Sequence, residues 1–103
     1  MIKVSVLYPN QPGNHFDMSY YLSKHMPLVR NRMGAALKKD EVEEGIGGGT
    51  PGAPAPYIAA VSLYFESVSA FEQVMATHAA ELMNDVPNYT NSKPVIQVST
   101  IKG

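Results

Sequence analysis

The sequence predicts one compact α+β domain with the order strand, helix, strand, strand, helix, strand. Three observations predict it: an alternating N-terminal segment, two stretches with helical spacing of apolar residues, and a central segment that is apolar on both alternating sets. This βαββαβ order is the split βαβ, or ferredoxin-like, arrangement, in which both helices cover one face of an antiparallel sheet. We expect residues 1–103 to form a single domain, because this length suffices for one such core only.

Four segments are predicted as strands. Residues 2–8 and about 94–102 alternate in the manner of strands. Residues 37–44 are rich in Lys and Glu, which discourage further pairing and favour an edge strand. Residues 57–65 are fit for burial on both faces, which favours a central strand. The glycine- and proline-rich residues 45–56 cannot form helix or sheet throughout and are expected to be a long loop.

The first helix is expected to begin at about Met18 and to stop at Gly34. Asp17 offers a side-chain oxygen to the free N–H groups at the helix start. Pro27 cannot donate to the preceding turn and its ring crowds that turn, so a kink is expected beside His25. The predicted sheet-facing stripe is spaced by four, four, three and four residues and consists of Met18, Leu22, Met26, Val29 and Met33.

The second helix follows a choice of two N-caps. Ser67 or Ser69 can cap it, the latter with Glu72 three residues on as a capping box. The helix is expected to end near Asn84, because Pro87 and a polar run follow. Its apolar stripe at helical spacing consists of Phe71, Met75, His78 and Leu82.

Composition narrows the functional classes. The net charge of -1 provides no basic surface for a phosphate backbone, so nucleic acid is not an expected partner. The absence of cysteine excludes disulfides, thiolate metal sites and a cysteine nucleophile. No apolar run approaches the length that spans a membrane, and the N-terminal segment lacks the pattern of a signal peptide. We therefore expect a cytoplasmic protein with no membrane partner.

The sheet face turned away from the helices is expected to be covered by another surface. It has one charged residue and is otherwise apolar, small or neutral, whereas a face in water usually alternates into charged residues. A second copy packed sheet to sheet is the simplest cover, and small side chains would leave a cavity between the copies. The face consists of Lys3, Ser5, Leu7, Ile58, Ala60, Ser62, Tyr64, Val95, Gln97, Ser99 and Ile101.

His25 is the leading candidate for chemistry, because an imidazole can take and return a proton near neutral pH without a cofactor. Tyr21 lies one turn earlier on the same flank and could bond a substrate oxygen or orient the ring. The alternative is a boundary histidine at the sheet edge. His78 lies within the second apolar stripe, where a core histidine with a hydrogen-bond partner is the more common case, and His15 lies in a polar turn.

Neither a metal nor a phosphate site is predicted. The histidines lack metal-ligand spacing, and no carboxylate completes a helical site. The glycines of residues 45–52 are not followed by a Lys-Ser or Lys-Thr pair or by a helix start, so they do not match a phosphate-binding loop. The loop is either a lid over a cavity or a plain hairpin connection. We expect no cofactor.

Three segments resemble the EthD family, which is named for a component of bacterial ether degradation. Residues 16–29, FDMSYYLSKHMPLV, resemble the family's first helix. Residues 47–54, GGGTPGAP, resemble its glycine and proline loop. Residues 85–90, DVPNYT, and the following PVIQ resemble its C-terminal segment. The resemblance covers most of the chain and implies the dimeric α+β barrel superfamily, whose members pack two such sheets face to face.

The resemblance also extends to a polar group after the second helix, formed by Asp85, Asn88 and Tyr89. Asp85 could orient a histidine across the cavity; equally, short polar side chains there could bond the turn backbone around Pro87. The site residues that we expect are His25, Tyr21 and Asp85 for catalysis and Tyr64, His78, Asn88 and Tyr89 for substrate contact.

The resemblance implies an EthD-like oxidoreductase or monooxygenase without a cofactor, acting on a small apolar, oxygen-bearing organic molecule. Folds similar to this one also serve isomerases, cyclases and haem-degrading enzymes, so fold alone does not choose among them. A cofactor-independent isomerase or cyclase and a non-catalytic binding protein for a hydrophobic metabolite remain alternatives.

Overall fold

A computed structural model describes residues 1–103. Four strands and three α-helices are connected by one π-helical turn and two 3-10 turns. In chain order they are β1 (Ile2–Pro9), α1 (Met18–Tyr20), the π turn (Tyr21–His25), α2 (Met26–Met33), a 3-10 turn (Gly34–Ala36), β2 (Lys39–Glu44), β3 (Tyr57–Phe65), α3 (Val68–Asp85), a 3-10 turn (Val86–Asn88) and β4 (Val95–Thr100). We call α1, the π turn and α2 together the first helical segment.

The strands form one antiparallel sheet in the order β2-β3-β1-β4. This is the ferredoxin-like βαββαβ fold that the sequence predicts. The central position of β3 and the edge position of β2 are confirmed, and the charged β2 lies where further pairing has to be discouraged. The first helical segment packs against α3. No helix has the combination of length and apolar character that crossing a bilayer requires.

The core lies between the sheet and the helices. Alternate residues of β1 and β3 point into it, as the period-two geometry of a strand requires. Val4 lies opposite Leu63, and Val6 lies opposite Val61, so the two central strands present one continuous apolar face. Phe65 is fully buried and packs against Phe71 of α3, with ring centroids 5.3 Å apart.

The π turn displaces the predicted stripe of the first helical segment. The Met26 N–H donates to the carbonyl of Tyr21, five residues back, so the turn holds one residue more than an α-helical turn. Met26, Val29 and Met33 are buried as predicted. The prediction for Leu22 was wrong: it is 49% exposed, and Tyr21, at 2%, occupies the inward position. The kink expected at Pro27 takes the form of this wide turn.

The sheet face away from the helices contains the predicted residues of β1, β3 and β4, except that Ile101 lies beyond the end of β4. Across β1, β3 and β4, Lys3 pairs with Tyr64 and Ser99, and Leu7 pairs with Ala60 and Val95. Strand β2 adds three charged residues to this face at one edge, namely Lys39, Glu41 and Glu43. Two of them are engaged within the chain, since the Tyr64 hydroxyl donates to Glu41 and Lys39 lies 3.6 Å from the same carboxylate. The centre of the face stays uncharged.

Residues 45–56 form a hairpin-like connection that leaves the cavity uncovered. The Gly45 N–H donates to Ile58, and the Gly48 N–H donates to Ala53. A Cβ at Gly45 would clash with the Tyr57 carbonyl oxygen, so only glycine allows the two backbones to approach this closely. The loop does not line the cavity described below.

The N-cap of α3 is Ser67, whose hydroxyl accepts from the Ala70 N–H. Ser69, the other candidate, instead accepts from the Gln73 side chain on the helix surface.

We expect Ser67→Ala to lower the free energy of unfolding by about 1 kcal/mol in urea denaturation, because a free backbone donor loses its partner. The matched control Ser69→Ala should change it by less than about 0.5 kcal/mol. Equal losses in the two variants would argue against this cap.

Candidate functional site

A cavity of about 70 Å³ lies between the sheet and the helices. Its position differs from the sheet-to-sheet cavity expected between two copies, since all of its walls come from one chain. Its walls are apolar apart from His25 and tyrosine hydroxyls. The lining residues are Val4, Val6, Tyr8, Tyr21, His25, Met26, Val29, Met33, Val61, Leu63, Phe71, Met75, Leu82, Met83, Val86, Tyr89, Pro94 and Ile96.

The cavity reaches the surface between α3 and the edge strand β4. Met83 of α3 and Ile96 of β4 line it and are nevertheless 51% and 47% exposed. They therefore mark the entrance on that side. Met75 and Phe71, also on α3, line the same wall and are half-buried. Methionine side chains are flexible and adapt to different shapes, so this wall can adjust to a ligand.

His25 and Asp85 form a hydrogen-bonded pair at the polar end of the cavity. The Nδ1 of His25 lies 2.8 Å from Oδ2 of Asp85, and both side chains are largely buried. The π turn positions His25, and the last residue of α3 is Asp85. The carboxylate accepts from an Nδ1–H, so it favours the tautomer that leaves Nε2 free to take a proton.

The Asp85 carboxylate has two further donors. The Tyr20 hydroxyl donates to Oδ1 at 2.7 Å, and the Asn88 amide donates to the same oxygen at 2.9 Å. Burial alone would raise the pKa of Asp85, but hydrogen bonds from Asn88, Tyr20 and His25 outweigh it and hold the pKa below its ordinary value. Asp85 therefore remains a carboxylate at neutral pH and keeps the His25 ring in one orientation.

Aromatic rings surround His25. The Tyr21 ring stacks on the imidazole with centroids 5.0 Å apart, and the Tyr89 ring lies 4.7 Å from it. The hydroxyls of Tyr8 and Tyr89 are hydrogen-bonded at 2.8 Å. Burial raises the pKa of Tyr8, Tyr21 and Tyr89, so all three stay protonated and act as neutral donors at physiological pH.

The second ring nitrogen of His25 has no partner in the chain, because the ring is hydrogen-bonded only through Nδ1. The Tyr21 hydroxyl interacts with that of Tyr8, which is itself hydrogen-bonded to Tyr89. No fully enclosed side-chain nitrogen or oxygen lacks a partner, so Nε2 of His25 retains access, and His25 lines the cavity. Nε2 can take a proton, and the Tyr21 hydroxyl can donate to an oxygen.

The remaining expected site residues fall in three places. Tyr89 lines the cavity, and Asn88 lies just outside it on Asp85. His78 is half-buried on α3 and does not line the cavity. Tyr64 lies on the opposite face of the sheet, bonded to Glu41. The site thus brings together His25, Tyr21, Asp85, Asn88 and Tyr89, but neither His78 nor Tyr64.

Sequence reasoning missed Tyr8 and Tyr20 as site residues. Tyr8 ends the helix-facing set of β1, and its position within the predicted core face was the available signal. Tyr20 lies at the end of α1, just before the π turn, and its hydroxyl reaches Asp85, 65 residues away in the chain. No cluster of three or more His, Asp or Glu side chains that could hold a metal ion occurs in the chain.

The charge on Asp85 leads to a pH prediction. The pKa of Asp85 is lower in the folded state than its ordinary value of 3.8. The charged carboxylate therefore stabilises the fold at pH values above 3.8, and this stabilisation is lost as the pH falls through the folded-state pKa. We expect Asp85→Asn to lower the free energy of unfolding by about 2 kcal/mol at pH 6. In urea titrations the difference in the free energy of unfolding between variant and wild type should decrease below about pH 4. A difference that is constant down to pH 2 would contradict this role of Asp85.

The chain is similar in sequence and in fold to known proteins of one family. Residues 15–93 match the EthD domain family. The crystal structure of an EthD-like protein from Ralstonia eutropha JMP134 is 41% identical, with a TM-score of 0.91 over 95% of this chain and 88% of that one. The sequence has no match among curated proteins.

Two more distant structures share the fold. An EthD family protein from Bacillus halodurans C-125 is 19% identical, with a TM-score of 0.75 over 99% of each chain. A DABB family protein with a ferredoxin-like fold, from Mesorhizobium loti MAFF303099, is 13% identical, with a TM-score of 0.59 over 99% of this chain and 97% of that one. The match across most of the chain, together with the 41% identity to the Ralstonia protein, shows that this chain belongs to the EthD family.

Proposed function

We propose that this protein is a cofactor-free oxidoreductase or monooxygenase of small oxygen-bearing organic molecules, in which His25 removes a proton from the substrate. The observation that carries the proposal is the free Nε2 of His25, oriented through Nδ1 by Asp85, at the end of an apolar cavity. A histidine held by a carboxylate is a common general base. A catabolic role in the breakdown of such molecules, in the cytoplasm, agrees with the family name and with the cysteine-free composition.

The cavity limits the substrate in size and charge. One enclosed water needs about 10–15 Å³, so a cavity of about 70 Å³ encloses roughly five to seven non-hydrogen atoms. Its lining holds no Lys or Arg, and the Asp85 carboxylate lies next to it. A carboxylate ligand would be repelled there, whereas a neutral ketone, ether or phenol oxygen can accept from Tyr21.

The first step we propose is proton abstraction. Nε2 of His25 takes a proton from a CH₂ carbon next to a carbonyl, and the Tyr21 hydroxyl donates to the carbonyl oxygen on which negative charge develops. The positive charge that forms on the imidazole is stabilised by the Asp85 carboxylate 2.8 Å away. Neither part of this step needs a metal or a bound redox group.

Molecular oxygen then acts as the oxidant. The carbanion formed from a CH₂ group gives electrons to O₂, a carbon–oxygen bond forms, and the outer oxygen takes the proton from His25. The hydroperoxide loses water as its carbon gives up the remaining hydrogen, leaving a carbonyl. The balance is one CH₂ group plus O₂ giving one C=O group plus water, with the substrate as the source of all electrons.

A second candidate uses the same first step without oxygen. If the proton returns to a different atom of the enolate, the result is isomerisation or cyclisation, which the His25 and Tyr21 pair also supports. Oxygen uptake measured with an electrode in the presence of cyclopentanone, whose CH₂ groups lie next to its carbonyl, separates the two, because only the first candidate consumes oxygen. A non-catalytic binding protein would take up the probe in a saturable manner and yield neither product.

Proton abstraction can be tested before the substrate is known. In D₂O we expect the protein to catalyse exchange of the α-protons of cyclopentanone, followed by proton NMR. His25→Gln should slow this exchange at least about 100-fold, because the base is removed. The matched control is His78→Gln, which alters a histidine outside the cavity and should leave the rate unchanged. Wild-type exchange no faster than buffer, or equal rates in all three proteins, would contradict the proposed base.

We also propose that two copies associate through the sheet faces. The centre of this face is apolar or neutral, with Leu7 opposite Ala60 and Val95, while charge is confined to Lys3 and the β2 edge. The other edge, β4, has no charged side chain and exposes Val95, so it is an unprotected edge. A second copy also has one charged edge, β2, and one uncharged edge, β4, so two copies can complement each other in a face-to-face homodimer.

The homodimer leads to a matched pair of variants. Leu7→Lys places a charge at the centre of the face and should give a monomer in sedimentation velocity at concentrations where the wild type is a dimer. Leu22→Lys changes the same residue type on the exposed helix surface and should remain a dimer. A monomeric wild type, or a dimeric Leu7→Lys variant, would rule out association through this face.

A further inference from the structure

We propose that Pro27 is a positioning residue: it selects the helical register that turns Tyr21 instead of Leu22 into the cavity and brings Tyr20 onto Asp85. This inference concerns the structure of the site and is independent of the reaction. It rests on the π turn, on the position of Pro27 two residues after it, and on the placement of Tyr20, Tyr21 and Leu22.

The π turn ends at His25, two residues before Pro27. The Met26 N–H donates five residues back to the Tyr21 carbonyl, and Pro27 occupies the first turn of α2. In a continuous α-helix the ring of Pro27 would meet the carbonyl of Ser23, four residues back. A π turn is wider and moves that carbonyl away from the ring. Proline has no N–H in either register, so the steric contact is what distinguishes them.

The wide turn determines which side chains face inward. In an α-helix the residue one turn before Met26 on the same stripe is Leu22, whereas in the π turn it is Tyr21. Tyr21 is 2% exposed and Leu22 is 49% exposed, which is the reverse of what an unbroken apolar stripe would give. Exposing a leucine to bury a tyrosine costs apolar burial, so another constraint must hold this register.

The same shift supplies the hydrogen bond to Asp85. In the α register the flank position beside His25 would belong to Tyr21, four residues earlier. The extra residue of the π turn turns Tyr20 toward α3, where its hydroxyl donates to Asp85 at 2.7 Å, while Tyr21 stacks on the His25 ring. Pro27 therefore acts through the turn on two tyrosines at once, without touching a ligand: it does not line the cavity.

Pro27→Ala is the direct test, because alanine restores the N–H, removes the ring and is the strongest helix former. We expect the helix to revert to the α register. In nuclear Overhauser spectra, cross-peaks between the Tyr21 and Tyr89 rings, which are 4.8 Å apart in the native register, should be lost. Cross-peaks from the Leu22 methyl groups to cavity residues such as Tyr8 should appear. Native cross-peaks in Pro27→Ala would overturn the proposal.

A rescue variant separates a register change from general damage. Leu22→Lys is exposed in the native register, but in the α register it would bury an ammonium group. Adding it to Pro27→Ala should restore the cross-peaks between Tyr21 and Tyr89. The matched control, Asn31→Lys in the same background, places the charge on the exposed surface of α2 after the turn and should restore nothing.

Every remaining outcome counts against the proposal. Rescue by both lysine variants would show a general effect of charge, and rescue by neither would show that the register is not what Pro27 controls. Loss of amide dispersion in Pro27→Ala and in the Leu22→Lys double variant would also contradict it, because a change of register leaves the helix folded. The outcomes do not depend on turnover, so they are distinct from a failure of the proposed chemistry.

Discussion

The Asp85 carboxylate connects the first helical segment to the end of α3. It accepts from Tyr20 and His25 in the first helical segment and from Asn88 in the turn after α3. Hydrogen bonds to a charged acceptor are stronger than neutral ones, and three of them fix the carboxylate in direction as well as in place. The imidazole is held by one nitrogen, so the other is directed to the cavity. Without this carboxylate, His25 would be a buried ring between Tyr21 and Tyr89 whose Nδ1 has no partner.

Much of the fold follows from local sequence patterns. The alternation in residues 2–8 and 57–65 fixes the core face of the two central strands, because a strand's side chains alternate strictly between faces. Asp17 caps the first helical segment as expected, since the cap needs only a short polar side chain in the right place. Each of these features depends on one residue and its immediate neighbours. His25 was a candidate from its residue type, whereas Asp85 was a candidate through the family resemblance.

The rest depends on competition between distant parts of the chain. The apolar stripe through Leu22 satisfies helical spacing as well as the observed register does, so periodicity could not reveal the π turn. The bond between Tyr8 and Tyr89 joins residues 81 positions apart, and no local pattern encodes it. The cavity between sheet and helices arises from the way α3 leaves the β4 side partly uncovered, which depends on packing between the layers.

The tyrosine cluster has a further consequence. The chain contains six tyrosines and no tryptophan, and four of the six lie at or beside the site, namely Tyr8, Tyr20, Tyr21 and Tyr89. Near-ultraviolet absorption and emission of this protein therefore come mainly from the rings around His25. A ligand that enters the cavity changes the surroundings of these chromophores directly, so the protein contains its own optical probe of occupancy and needs no added label.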